Sequence, residues 1–239
     1  MNGRGVTRDY SQPILSGEGD DDYARYMRTG VLLSLQRRPD QWVHRDELLF
    51  QVVHQSTELW LKLAVAEVTE AGGRIRANEL DAAVALLARA SLAVELATDQ
   101  LRMLRHLSPW DFQLIRTVLG NGSGFDSPGW RGVRQASQRI GVAFEELLAE
   151  RAADLAELYR SGEHTVLFRL AEALVDWDEQ VAVWRTVHYK VATRIIGHEV
   201  VGTKGTQVDT LAKLIAHKFF PELWQARTEL THTGPMGDQ

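Results

Sequence analysis

The strongest constraint on this chain is one unbroken apolar stripe: Leu170, Leu174, Trp177, Val181, Trp184, His188, Val191 and Ile195, in alternating steps of four and three. Only an α-helix brings that spacing onto one face, and the stripe predicts about seven turns of helix. Gly197 marks its end. A helix that long buries its stripe only against partners of comparable length. A second stripe, Leu80, Val84, Leu87, Val94, Leu101 and Leu104, predicts a helix over about 79–107, closed by Ser108-Pro109. HRDELLFQVVHQSTELWLKL, from His44 to Leu63, reads as a third. No segment shows the two-residue alternation of a strand, so the expected fold class is all-α, a helical bundle.

Residues 1–20 read as a flexible N-terminal arm, 21–230 as one all-α domain and 231–239 as a flexible tail. Two glycine-rich stretches punctuate the domain. GNGSGFDSPGWRG, Gly120 to Gly132, is a loop between helices, and GTKGTQ, Gly202 to Gln207, follows the long stripe. Neither matches a dinucleotide or phosphate loop, because no strand precedes it.

Composition removes several chemistries. Among 239 residues there is no cysteine, which excludes disulfides, thiolate zinc sites, cysteine nucleophiles and thiolate-ligated haem. The 27 basic and 32 acidic residues leave a net charge of −5 without a Lys/Arg block, so neither nucleic acid nor an anionic membrane is an expected partner. No apolar run reaches the roughly 18 residues of a membrane span, and the N-terminus lacks a signal-peptide core. The expected location is the cytoplasm.

Two histidines then need explaining. His188 occupies a position where the stripe demands an apolar side chain. It is either a buried neutral imidazole satisfied by a neighbour, or a metal or haem ligand whose direction a rigid helix fixes, with Trp184 and Val191 walling the pocket. His54 poses the same alternatives on another helix, with Phe50 one turn before it. His44, Asp46, Glu47 and His54 superficially suit a non-haem metal. Their spacing argues against it, because His44 and His54 lie roughly a quarter turn out of register on one helix. His44 and Asp46 are expected at the helix start, where acids suit the dipole and cap N–H groups.

Taken together, these segments resemble the tryptophan 2,3-dioxygenase family of haem enzymes. HRDELLFQVVHQSTELWLKL is similar to the family's HDE-LF-HQ-ELW-K signature. LSPWDFQLIRTVLGNGSGF (Leu107 to Phe125) resembles its second segment, and WRTVHYKVATRIIG (Trp184 to Gly197) the one supplying the axial haem histidine. FFPELWQART resembles its C-terminal helix and DYARYMRTGVLLSLQ its tyrosine-bearing N-terminal helix. The resemblance implies haem b, with His188 as axial iron ligand and Trp184 and Ser123 beside the haem. It implies that His54 is the distal histidine that bonds the indole N–H, that Phe50 packs on the indole and that Arg116 holds the substrate carboxylate. Thr203 and Phe112 would lie near the substrate. Tyr23 and Tyr26 would reach a neighbouring subunit's site, which implies a homo-oligomer, a tetramer built as a dimer of dimers. The implied co-substrates are L-tryptophan or a related indole amino acid, and O2.

Three departures from the family pattern stand out. Phe112 replaces a tyrosine, Lys204 replaces a glycine in GTKGT, and the region of about 130–165 is shorter than in a typical member, which predicts a trimmed helical element. Two reactions are therefore compatible with the sequence: cleavage of the indole C2–C3 bond to N-formylkynurenine, or monooxygenation of tryptophan or a methylated tryptophan to a 2-oxindole or hydroxylated product. A haem carrier without turnover is the non-enzymatic competitor. Joint presence of His54, Phe50 and Arg116 beside His188 argues against it, since a carrier needs no carboxylate clamp.

Overall fold

The computed structural model describes residues 12–202, 204, 205 and 207–236. The helices, in chain order, are α1 (Asp22–Met27), α2 (Thr29–Leu32), α3 (Glu47–Arg76), α4 (Leu80–Gln100), α5 (Pro109–Arg116), α6 (Pro128–Glu150), α7 (Leu155–Arg160), α8 (Val166–Ile196), α9 (Thr210–Ile215) and α10 (Pro221–Thr233). Among the described residues, strand-like pairing is confined to an isolated antiparallel bridge between Val201 and Gln207. The fold is all-α, as the periodicity requires.

Four long helices form the bundle. α3 packs against α4 and α6, and α4 packs against α8. On α3 the buried face is Leu61, Ala64, Val68, Ala71 and Ile75, at steps of three and four. It meets Ala83, Leu87 and Ala90 of α4, where alanines let the helix axes approach, and Ile140 and Phe144 of α6. The long stripe contributes Leu170, Leu174, Trp177 and Val181 to this core, all fully buried. Trp177 donates its indole N–H to Ser137 Oγ at 2.8 Å, so its polar atom is satisfied. α6 starts hard against α3: a Cβ on Gly129 would lie 2.7 Å from both Glu58 Oε2 and Leu61 Cβ, so only glycine fits there.

A second, smaller core forms beyond this one. Val53, Leu101, Leu104, Phe112, Ile115 and Val191 pack together, drawn from four segments of chain. The apolar stripe of residues 80–104 divides between the two cores, because the α-helix ends at Gln100 and Leu101–His106 continues as a 3₁₀ helix. The tighter winding turns Leu101 and Leu104 towards the second core. One uninterrupted helix over 79–107 does not form. The helix containing HRDELLFQ begins at Glu47, with Asp46 at its N-cap, and the Asp46 side chain makes no capping bond. Its carboxylate faces His44 and Arg45 instead, at 3.9 Å from each. At the C-terminus α10 runs through Thr233, three residues into the segment read as tail. The 130–165 region holds most of the 23-residue α6, which packs on α3, followed by α7.

Candidate functional site

His54 from α3 and His188 from α8 both stand at the second core. His54 Nδ1 lies 2.7 Å from the Phe50 carbonyl one turn back. A carbonyl only accepts, so Nδ1 carries the hydrogen and, in a neutral ring, Nε2 presents a lone pair. Desolvation lowers the His54 pKa, against smaller upward pulls from that carbonyl and from Glu58. The residue nonetheless keeps accessible surface. Crowded by protein yet exposed to solvent, the ring can be reached by a ligand.

His188 is more perturbed. Burial pushes its pKa down to about 4, and the charge His54 would carry adds to the effect, so the two imidazoles are near enough to sense each other. Some of the His188 residue remains accessible, as for His54. Its ring stacks on Trp184 at 4.7 Å between centroids with an interplanar angle of 9°. Among the described residues no group hydrogen-bonds either His188 ring nitrogen. A neutral imidazole with an uncommitted lone pair, beside an apolar cluster, suits the axial position of a haem.

The pKa shift has a consequence for stability. An unfolded histidine titrates near 6.5, whereas folded His188 takes its proton only near 4. The unfolded chain therefore binds that proton first, so stability is full above about pH 6.5 and declines as pH falls towards 4. For one such group the loss is at most about 3 kcal/mol, and partial exposure reduces it. Urea midpoints at pH 7 and 4.5 should differ accordingly, and His188→Ala should shrink the difference; an equal fall in that variant would place its source elsewhere.

Around the imidazoles, Phe50 lies 4.1 Å from His54 and 5.7 Å from Phe112 between ring centroids, so all three share one wall. Phe112 is buried at 7% exposure, well packed without a hydroxyl. Arg116, at the end of α5, has no carboxylate partner among the described residues. Its Nη2 donates to the Val201 carbonyl at 3.1 Å and its Nη1 to Gln113 Oε1 at 3.5 Å. Ser123 is half-buried and spends its hydroxyl accepting the Phe125 N–H at 3.4 Å, at the start of a short 3₁₀ turn. Lys204 is not a free charge: its ammonium binds Asp126, tying the GTKGT loop to the loop before α6. That pair holds the Asp126 carboxyl below its usual range. Thr203 lies outside the described residues.

Tyr23 and Tyr26 project from α1 at 66% and 76% exposure and do not join the site within one chain. The cluster of His44, Asp46, Glu47 and His54 does not form. His44 instead sits 3.9 Å from Asp46 and 3.7 Å from Asp111, while Glu47 is buried against Arg37 at 2.8 Å. His54 lies seven residues beyond Glu47 on α3, roughly 10 Å further along the helix axis, out of reach of the other three. Sequence reading missed Trp130, which contacts Trp184 at 3.9 Å between centroids. A lone tryptophan ending a glycine-rich loop was the available signal.

A model of the family described as tryptophan 2,3-dioxygenase matches residues 9–149, a span that includes Phe50, His54, Phe112, Arg116 and Ser123. The chain is 28% identical to a tryptophan 2,3-dioxygenase of Bacillus thuringiensis subsp. konkukian (strain 97-27), covering 95% of this chain and 96% of the relative. It is 29% identical to the Myxococcus xanthus (strain DK1622) enzyme of that name, over 91% and 92%. It is 31% identical to that of Bradyrhizobium sp. (strain BTAi1 / ATCC BAA-1182), over 89% and 94%. The Bacillus alignment is 279 positions long against a chain of 239, so at least 40 positions have no counterpart here. With more than half of the chain matched by the family model and near-complete coverage of these relatives, the chain belongs to the tryptophan 2,3-dioxygenase family.

Proposed function

We propose that this chain binds haem b through His188 and uses O2 to oxidise the indole ring of L-tryptophan, cleaving its C2–C3 bond to give N-formylkynurenine. One observation carries the reading: two desolvated imidazoles, from α3 and α8, meet at one apolar cluster to which α5 contributes Phe112 and Ile115, and Arg116 at the end of α5 has no acid partner among the described residues. Bound haem supplies the iron that activates dioxygen. The remaining work falls to the chain.

Phe50 and Phe112 give the indole an apolar wall and keep water from it. His54 Nε2 accepts the indole N–H, an assignment supported by the Nδ1 hydrogen bond to Phe50. Arg116 receives the carboxylate in its planar fork, exchanging the weaker Val201 carbonyl for a charged partner. Fixing both ends of the substrate sets which ring carbon faces the oxygen. Ser123, Thr203 and Trp184 complete the surroundings of haem and the amino-acid end. Replacing Arg116 by alanine should weaken tryptophan binding by about 2–3 kcal/mol while haem uptake is retained; an unchanged affinity would remove the carboxylate role.

A homotetramer completes the reading. The N-terminal segment exposes Ile14 (62%), Tyr23, Tyr26, Met27 (52%) and Leu33 (74%), apolar surface that one chain does not cover. Its docking on a second copy would bring the tyrosines to a neighbouring site. Among the described residues no helix is long and apolar enough to cross a membrane. We place the enzyme in the cytoplasm.

The test is the product mass from L-tryptophan and heavy-isotope dioxygen with reduced, haem-loaded protein. Two labelled atoms in one product support ring cleavage. A single labelled atom replaces that reading by monooxygenation of tryptophan or a methylated analogue, with the missing Phe112 hydroxyl and the Lys204–Asp126 tie as the first features to revert.

A further inference from the structure

A histidine that ligates a metal commonly donates its second ring N–H to a carboxylate or carbonyl, which fixes the ring plane and raises ligand basicity. No such acceptor reaches His188 among the described residues. What touches the ring is an aromatic face: Trp184 lies parallel to the imidazole at 4.7 Å and 9°, and Trp130 backs Trp184 at 3.9 Å and 41°. Trp184 and His188 are one turn apart on α8, so helix geometry presents them side by side. Trp130 comes from the first turn of α6, whose start is fixed on α3: Glu58 accepts the Gly129 N–H at 2.9 Å and the Ser127 hydroxyl at 2.5 Å.

The Trp184 indole N–H is buried and has no hydrogen-bond partner among the described residues. An orphaned donor is costly, and a phenylalanine there would avoid the cost. Hydrogen bonding therefore does not account for this ring, whereas its parallel contact with His188 does.

We propose that Trp184 and Trp130 are positioning residues for the axial ligand, holding the His188 imidazole plane by a two-ring stack in place of a hydrogen bond. The proposal rests on His188 as the iron ligand. A ring held by a face rather than by an acceptor keeps its neutral character, which favours the ferrous state that dioxygen requires. Trp130 thereby gains a role through Trp184.

Three variants test the stack: Trp184→Met and Trp130→Met, which retain bulk without a ring, and Trp184→Phe, which restores a ring without the orphaned N–H. Each is loaded with haem and read by the iron–imidazole stretch in the ferrous protein, the rate of haem transfer to an apo-globin acceptor and thermal unfolding of the apo form. Both methionine variants should bind haem yet lose it about ten- to a hundred-fold faster, with a shifted stretch. Trp184→Phe should return both readouts towards the parent with no loss of apo stability. Trp130 is half-exposed and one step further from the ligand, so its variant decides the matter if Trp184→Met does not fold. Parental stretch and haem-loss rate in folded methionine variants would overturn the proposal. Failure of the underlying ligand reading looks different: the stretch would then survive His188→Ala.

Discussion

His188→Ala should give a folded chain that takes up no haem and shows no Soret band on titration. The fold should survive because the ring makes no hydrogen bond among the described residues and lies at the second core, outside the four-helix core. Alanine removes the only imidazole that α8 offers to that core, and an apolar wall alone does not ligate iron. Binding should therefore fall beyond detection. Circular dichroism should match the parent at neutral pH, and the acid sensitivity due to His188 should be gone. Normal haem uptake by this variant would remove His188 from the axial position, and with it the proposed chemistry.

The second large effect is structural. Asp178 is completely buried on α8, and its Oδ2 accepts the N–H of Phe219 at 3.0 Å, that of Phe220 at 3.5 Å and the indole N–H of Trp224 at 2.9 Å. This one carboxylate fastens the start of α10, whose Phe220 and Leu223 are fully buried. Asp178→Ala leaves three donors without an acceptor and should cost about 3–5 kcal/mol, measured by urea unfolding. Asp178→Asn keeps an acceptor and should cost clearly less. Hydrogen exchange over 219–233 should rise first, since these residues lose their tether. A loss below about 1 kcal/mol for the alanine variant would mean that α10 is held by its apolar face alone.

Most of the bundle was legible because helical burial repeats at 3.6 residues and leaves a linear trace. The stripe from Leu170 to Ile195 is the inner face of α8, and Gly197, with φ of 99°, ends that helix. The division of the 80–104 stripe was not legible. Leucines in a 3₁₀ turn look like leucines in an α-helix, and it is packing against α3, α5 and α8 that accompanies the tighter winding at Leu101. Trp130 escaped for a related reason: nothing local marks which residue of a glycine-rich loop meets a helix over fifty positions later.

His54 and His188 show the same boundary at the site. By itself the sequence determined the all-α class, the helices that carry each histidine, and the place of His188 on the α8 stripe, because periodicity and register are local properties of the chain. Only the tertiary structure decided that the two imidazoles meet at one apolar cluster, that both are held neutral and that Arg116 has no acid beside it among the described residues. It also decided that Lys204, an added charge in the sequence, is spent on Asp126. Desolvation and pairing depend on which distant segments close around a group, and that follows from packing rather than from spacing along the chain.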